Sequence, residues 1–281
     1  MNDYNKMSKV YLKSYCYSDH ELPFVISQLQ EGYDHIDKLI LYEYNYTHTG
    51  IKKEYRMEKV LKYIPENLRD KLDYKKIDLT NHHVVAPDKE ELCHQINEPI
   101  QRSWIFNDTD YNLQDDDIII DVDIDEIIYK NSYNLLLDEF KRKKRPLAIK
   151  INQFFFKNNY LWTNCIIKAS TIYKYGMVKR INKKIKGLKI QNLRDLHHKT
   201  DKIYGCHMSW VMPVNYMITK IHSGAHTRYK HLADEEKLQK AIEEKKYIFD
   251  LNRPFNIEEL ELNDERIPKF LQKENIFDYL K

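Results

Sequence analysis

The sequence predicts an α/β protein with a central, mostly parallel sheet, and three observations carry that expectation. The chain opens as strand, helix, strand between Val10 and Tyr44, the start of a parallel α/β unit. A run of three isoleucines, Ile118-Ile-Ile120, has the length and branching of a short buried strand and ends in an acidic cluster. With 281 residues, 42% of them hydrophobic, the chain can bury a large core, and its 6 Gly and 8 Pro argue against a repeat or linker-rich architecture.

Val10 to Tyr17 reads as the first strand and Ser18-Asp-His20 as a turn. Glu21 to Gly32 has the helical spacing of Leu22, Val25, Ile26 and Leu29 and ends at a glycine. Ile36 to Tyr44 follows as a second strand. It runs into the loop Asn45-Tyr-Thr-His-Thr-Gly50, on the strand edge where open α/β sheets bind ligands. The pattern then predicts a helix over 55–73 interrupted near Pro65, a short strand from Lys75 to Leu79, and a turn from His82 to Pro87. Glu90 to Phe106 reads as helical, and another helix is expected from Ser132 to about Lys144. Leu147–Phe156 and Trp162–Lys168 are expected to pair as a hairpin at the sheet edge. After Lys189 the pattern weakens until Gly205-Cys-His-Met-Ser-Trp210; Tyr216–Ile221 and Asp234–Lys246 read as helices. Residues 231–281 are expected to form a C-terminal helical extension packed on a main domain of residues 1–230.

A formal net charge of +3 is too small for a dedicated nucleic-acid binder. The basic run Lys141-Arg-Lys-Lys-Arg145 and the stretch from Lys174 to Lys189 read as solvated faces, or as surfaces attracting an anion. Cys16, Cys93, Cys165 and Cys206 form no Cys-x-x-Cys pair, as expected of reduced, cytoplasmic cysteines. Neither a signal peptide nor an apolar run of about 18 residues is apparent, so no membrane span is expected.

The acidic strand end carries the clearest chemistry. In Asp121-Val-Asp-Ile-Asp-Glu126 the aspartates alternate with apolar residues, and a continued strand would turn all three to one face. Converging carboxylates repel unless a cation lies between them. Mg²⁺ and Mn²⁺ favour such oxygen ligands together with substrate phosphates. The alternative is a solvated turn in which Asp121 or Glu126 caps the next helix. A calcium loop is excluded, because Glu126 and Ser132 would occupy the positions that require glycine and glutamate.

Other candidates are less specific. Glu43 closes an apolar strand, and the loop after it offers Thr47, His48, Gly50, Lys52 and Lys53 to a sugar or base. His207 neighbours Met208 and Trp210, and an indole suits the apolar face of a pyranose as well as a core. His222 and His226 lack a third fixed ligand for structural zinc, so His226 is the expected third ligand of a carboxylate-bound metal, or a phosphate partner. Gly-x-Gly-x-x-Gly, P-loop and Gly-x-Ser-x-Gly signatures are absent.

Taken in order, these segments resemble glycosyltransferase family 17, the family of the β-1,4-mannosyl-glycoprotein β-1,4-N-acetylglucosaminyltransferase. The resembling blocks are Glu21-Leu with Asp37-Lys-Leu-Ile-Leu-Tyr-Glu43, Thr47-His-Thr-Gly50 with Lys52 or Lys53, and Gln101-Arg102. They continue with Asp117-Ile-Ile-Ile and Asp123-Ile-Asp-Glu-Ile127, Gly205-Cys-His-Met-Ser-Trp210, and Ile221 to Tyr229 around His226. The resemblance spans roughly residues 10–230. It implies a GT-A-like, Rossmann-related fold and inverting transfer of a sugar, N-acetylglucosamine by the family's pattern, from a UDP-sugar to a glycan or glycoprotein acceptor. It implies Mn²⁺ or Mg²⁺ and the diphosphate at Asp123 and Asp125, and its late histidine block falls at His226. Glu43, Thr47, His48, Gly50, Lys52, Arg102 and His207 are the implied donor-site residues.

Asp125 is the residue expected to matter most for activity. Glu126 is the first candidate for the base, with Asp201 or a residue near Asp234 as substitutes. Arg228 stands where the family carries glutamate, which bears on the acceptor side. The chain resembles the shorter microbial or viral members, whose expected place is the host cytoplasm or the virion. Two further readings are a non-catalytic nucleotide-sugar or glycan-binding protein and a metal-dependent phosphoryl-transfer enzyme.

Overall fold

A computed structural model describes residues 8–86, 89–184, 198–223, 227–250 and 253–280. Two-residue alternation organises its first strands, β1 (Val10–Cys16), β2 (Lys38–Tyr44) and β4 (Ile118–Asp121). Leu12, Leu39, Leu41, Ile118 and Ile120 face one core, which also receives Phe24, Val25 and Leu29 of helix α1 (Leu22–Gly32). Tyr11, Tyr15, Ile40, Tyr42, Tyr44 and Ile119 face a second, tyrosine-rich core with Ile105 and Val178. With apolar groups on both faces, the strands read as nearly continuous hydrophobic runs, as buried parallel strands do.

Together with β3 (Leu72–Ile77) these strands lie in the order β3-β2-β1-β4, every pair parallel. Chain order reverses across β1. It runs outward through α1 to β2 and β3, then returns through α3 (Glu90–Arg102) to β4 on the other side. The predicted α/β class with a parallel sheet core is therefore present.

Beyond β4 the sheet is mixed. β6 (Leu147–Phe155) and β7 (Tyr160–Lys174) are antiparallel, as the predicted hairpin requires, but they are interior strands. β7 pairs with β4, and β6 pairs in parallel with β8 (Lys199–Ser209), which carries β5 (Glu126–Ile128) at the far edge. The near-complete burial of Leu147, Ala148, Ile149, Ile151 and Phe154 explains why this hairpin is not an edge. β8 also begins well before the Gly205 segment that marked it in sequence. At Gly205 a Cβ would lie 2.2 Å from the Ile127 carbonyl oxygen, so close pairing of β5 with β8 requires glycine there.

The helix expected over 55–73 is instead two 3₁₀ turns, Met57–Lys59 and Leu61–Tyr63, then a single turn α2 (Glu66–Arg69) and β3. Pro65 ends the helical register. Upstream, the Glu43 carboxylate accepts hydrogen bonds from the amides of Arg56 and Met57 at 2.7 and 3.1 Å, fixing the first turn tightly. Helix α4 (Tyr133–Lys143) ends in the basic run, where Lys143 pairs with Glu139 and Asp201, and Arg142 with Asp201. Cations at a helix C-terminus also suit its dipole.

After α5 (Tyr175–Lys184) and β8, helix α6 (Val214–Ser223) leads to α7 (Glu235–Glu243). The expected C-terminal extension thus contains a helix, but it also supplies β9 (Ile257–Glu259), hydrogen-bonded to β7. Its Leu260, Ile267, Leu271 and Ile276 join the main core beside α1. All four cysteines are free and buried. Among the described residues, no helix is long and apolar enough to cross a membrane.

Candidate active site at the carboxyl edge of the parallel strands

Strand order reverses between β1 and β4, and their carboxyl ends are the position where open α/β sheets bind ligands. Chain leaving β4 enters it as the acidic loop. The strand stops at Asp121, so the alternation that would align three carboxylates stops there too. Each aspartate meets its own cation. Asp121, buried, faces the Lys13 ammonium of β1 at 3.1 Å, and the same ammonium donates to the Arg102 carbonyl at 2.8 Å. Lys13 and Asp121 are register partners on adjacent strands, so a buried charge on each is neutralised locally.

Asp123 accepts a two-pronged salt bridge from Arg102, with Nη1 at 2.5 Å and Nη2 at 3.2 Å. The Arg102 Nε donates to Glu98 at 2.8 Å, and its guanidinium lies over the Tyr15 ring at 5.2 Å. Asp125 lies 3.3 Å from His207 Nε2 and 3.6 Å from Lys220 Nζ. Burial opposes its charge, but His207 and Lys220 together hold its carboxyl below the usual range. Burial likewise opposes a charge on His207; the Asp125 carboxylate outweighs it and raises the imidazole pKa. Gln153 contacts the other ring nitrogen, Nδ1, at 3.1 Å, which fits an imidazolium donating on both sides.

Glu126 plays another part. Its buried carboxylate accepts from the Asp123 amide at 2.8 Å and from the Ser170 hydroxyl at 3.0 Å. It braces the turn between β4 and β5 and thereby sets the aspartates of that turn.

The predicted donor loop is built as a compact hairpin. The Thr47 amide donates to the Ile51 carbonyl at 2.8 Å, the Ile51 amide donates back to the Thr47 hydroxyl at 3.0 Å, and Gly50 adopts φ +93°. Lys52 is exposed, and it is Lys53 that reaches Glu43, at 3.2 Å. Glu43 itself is fully buried and accepts from Tyr74, Lys53 and two amides, so it anchors the chain after the loop. His48 turns inward against Tyr17, with ring centroids 5.1 Å apart, and against His94 at 5.5 Å. His226 lies outside the described residues. Asp201 is taken up by Arg142 and Lys143, and Asp234 caps α7 through the Lys237 amide.

Further groups, which local spacing marks only weakly, lie beside the acidic loop. Ser18 and Glu21 form a capping box at the start of the first helical segment, and the Glu21 carboxylate accepts from the amides of Tyr17 and Ser18 at 2.6 and 3.1 Å. Burial outweighs these bonds and lifts the Glu21 pKa to about 7. The His20 ring packs at a tilt against Tyr216, with centroids 4.4 Å apart, and burial, with Lys220 nearby, depresses its pKa to about 3. The Ser-x-x-Glu spacing was a readable signal for Glu21; Lys220 had none, because only the packing of α6 brings it to the loop. A groove of about 540 Å³, lined by Met212, Tyr216 and residues near Phe277, adjoins this side through Tyr216.

No protein-family model matches the chain, and no curated protein matches it.

This arrangement brings together Arg102, Asp123, Asp125 and His207 of the predicted site, with His48 beside them. Glu43 and Lys52 stand apart in structural and exposed positions. In sum, three carboxylates, Glu98, Asp123 and Asp125, are paired with three cationic side chains, Arg102, His207 and Lys220, at a strand edge. Such a site can offer N–H donors of Arg102, Lys220 and His207 to an anionic group and can accept a proton on a carboxylate.

Proposed function

We propose that this protein is an inverting glycosyltransferase that uses a nucleotide-diphosphate sugar, with a UDP-sugar carrying N-acetylglucosamine as the expected donor. The observation that carries the reading is the acidic loop at the β1–β4 reversal, clamped by Arg102 on Asp123 and by His207 and Lys220 on Asp125. The ordered motif resemblance supports it.

In the proposed step an acceptor hydroxyl oxygen bonds to the anomeric carbon as the bond from that carbon to the diphosphate breaks. The leaving diphosphate keeps the bonding electrons, and the hydroxyl proton passes to a carboxylate. Asp125, held ionised by its neighbours, and Glu21, with its pKa near neutrality, are the carboxyl groups suited to that proton. Arg102, Lys220 and the His207 imidazolium supply positive charge where the diphosphate departs.

The expected metal pair fits these contacts poorly. Both Asp123 oxygens accept from Arg102, so a divalent ion there would lie against the guanidinium and share the carboxylate with it or displace it. No step is therefore assigned to a metal on Asp123 and Asp125.

The test is turnover of a panel of UDP- and GDP-sugars by the parent chain and Asp125→Ala, with and without added Mn²⁺. Slow hydrolysis of one donor is expected, falling by about 100-fold or more in the variant. Calorimetric binding without turnover on any acceptor would make the protein a non-catalytic nucleotide-sugar binder. Absence of donor binding would remove the transferase reading altogether.

A further inference from the structure

We propose that His48, His94 and Glu98 form a binding site for a divalent transition metal of the zinc type, separate from the acidic loop. The three side chains come from two elements. His48 is presented by the loop after β2, while His94 and Glu98 stand one helical turn apart on α3 and face the same side. One ligand atom from each lies within 4.8 Å of the other two. The His94 Nε2 to Glu98 Oε2 distance is 3.5 Å. A tetrahedral ion with bonds of about 2.0–2.1 Å spaces its ligand atoms by roughly 3.3–3.5 Å, so this edge is already set. Bringing in the third atom requires a movement of about 1 Å, within the reach of side-chain torsions.

The hydrogen bonding points the same way. His48 is 5% exposed, and its Nε2 has no hydrogen-bond partner. A buried polar nitrogen left in that state is unfavourable, and a metal is one partner that would satisfy it. The ring cannot simply turn away, because Tyr15 and Tyr17 pack around it and Asn97 Nδ2 holds the His48 carbonyl at 3.0 Å. His94 Nε2 also lacks a hydrogen bond; its contact with Glu98 has ion-pair distance without hydrogen-bond geometry. Glu98 is oriented in advance. Arg102 Nε binds its Oε1 at 2.8 Å, which turns Oε2 toward the imidazoles, the outer-sphere support usual for a carboxylate ligand.

Ligand chemistry selects the ion class. Two imidazoles and one carboxylate suit Zn²⁺ and its neighbours Co²⁺ and Fe²⁺, whereas Mg²⁺ and Ca²⁺ prefer sites built wholly of oxygen. The His94 and Glu98 side chains are 15% and 13% exposed while the His94 and His48 Nε2 atoms are buried, so an ion enters by a small displacement of the partly exposed His94 and Glu98 side chains. A plain helical His–Glu pair beside a packed histidine is the competing explanation, and it leaves the His48 nitrogen unexplained. The site reaches the acidic loop through one side chain, since Arg102 binds Glu98 with Nε and Asp123 with Nη1 and Nη2.

The test uses the full chain, freed of metal by chelation and titrated with Co²⁺ under visible spectroscopy and with Zn²⁺ under calorimetry. One equivalent of Co²⁺ with the absorption of a four-coordinate imidazole–carboxylate site is expected. His94→Ala and Glu98→Gln, both at partly exposed positions and checked for native circular dichroism, should each weaken binding by about 100-fold or more, exceeding the loss typical of outer-sphere changes. Asp125→Asn should bind as the parent does. The proposal is overturned if the parent binds neither ion, if both variants bind like the parent, or if binding vanishes only with Asp125→Asn. None of these outcomes depends on sugar transfer, so the metal site and the transferase reading can fail separately.

Discussion

Glu21 sits at the start of the first helix with its carboxylate folded back on two amides and enclosed by protein. Enclosure lifts its pKa from an ordinary 4.5 to about 7, with the Tyr17 and Ser18 amides pulling the other way. The sign of the stability effect follows. The folded state binds this proton more tightly than the unfolded chain does, so the stabilisation is complete below the unfolded pKa and is lost as pH rises toward the folded one. The interval corresponds to about 3 kcal/mol as an upper figure. Glu21→Gln keeps an acceptor for the two amides and removes the titration. The variant and the parent should therefore have similar unfolding free energies near about pH 5, with the variant more stable by up to about 3 kcal/mol near about pH 8. Urea unfolding at several pH values reads this out; parallel curves for the two proteins would show that Glu21 is already ionised in the fold. His20, whose pKa falls to about 3 through burial and then Lys220, destabilises the fold in acid instead. Because both proteins carry it, its effect cancels from the comparison.

At the scale of elements, β1 and β4 are joined by hydrogen bonds and by the Lys13–Asp121 pair on the tyrosine-rich face. Lys13→Met would strand the Asp121 carboxylate and should cost about 3–5 kcal/mol, whereas Lys13→Met combined with Asp121→Leu should recover most of that loss. A double-mutant cycle in urea measures the coupling, and strictly additive effects would mean that the pair does not hold the strands together. These same strands were the most legible part of the sequence. Leu12, Leu39 and Ile120 alternate with Tyr11, Ile40 and Ile119, and local spacing alone reveals a strand packed on both faces. β8 was hidden before Gly205 because its partners β5 and β6 lie far away in the chain. The 3₁₀ turns at Met57–Lys59 and Leu61–Tyr63 were read as helix because the capping carboxylate, Glu43, belongs to another element. The candidate site divides in the same way. Asp123 and Asp125 could be singled out by residue type and spacing and His207 by its neighbours, whereas Arg102 entered only through the family resemblance. That β4 would end at Asp121, giving each aspartate a separate cation, depended on contacts with Lys13, Arg102, His207 and Lys220 that no local pattern encodes.

For the whole molecule, the decisive question is how the C-terminal segment relates to the sheet. A detachable extension would contribute a polar interface and little else. Here Leu260, Ile267, Leu271 and Ile276 are almost completely buried in the main core, and β9 hydrogen-bonds to β7. Asn158 donates to the Leu271 and Lys273 carbonyls, and Glu31 of α1 accepts from the Lys269 amide at 3.0 Å, tying the tail to both the sheet and the first helix. Each large apolar side chain withdrawn from water contributes about 1.5–3 kcal/mol, so four together match much of the roughly 5–15 kcal/mol by which whole domains are stable. Deletion of residues 256–281 should therefore abolish cooperative thermal unfolding and expose apolar surface that binds a hydrophobic dye. Circular dichroism melting with dye fluorescence distinguishes the alternatives. A truncated chain that melts cooperatively near the parent temperature would make the tail an accessory layer. Loss of the transition would make it part of one folding unit with the β1–β4 block, and the geometry of the acidic loop would then depend on chain more than a hundred residues downstream.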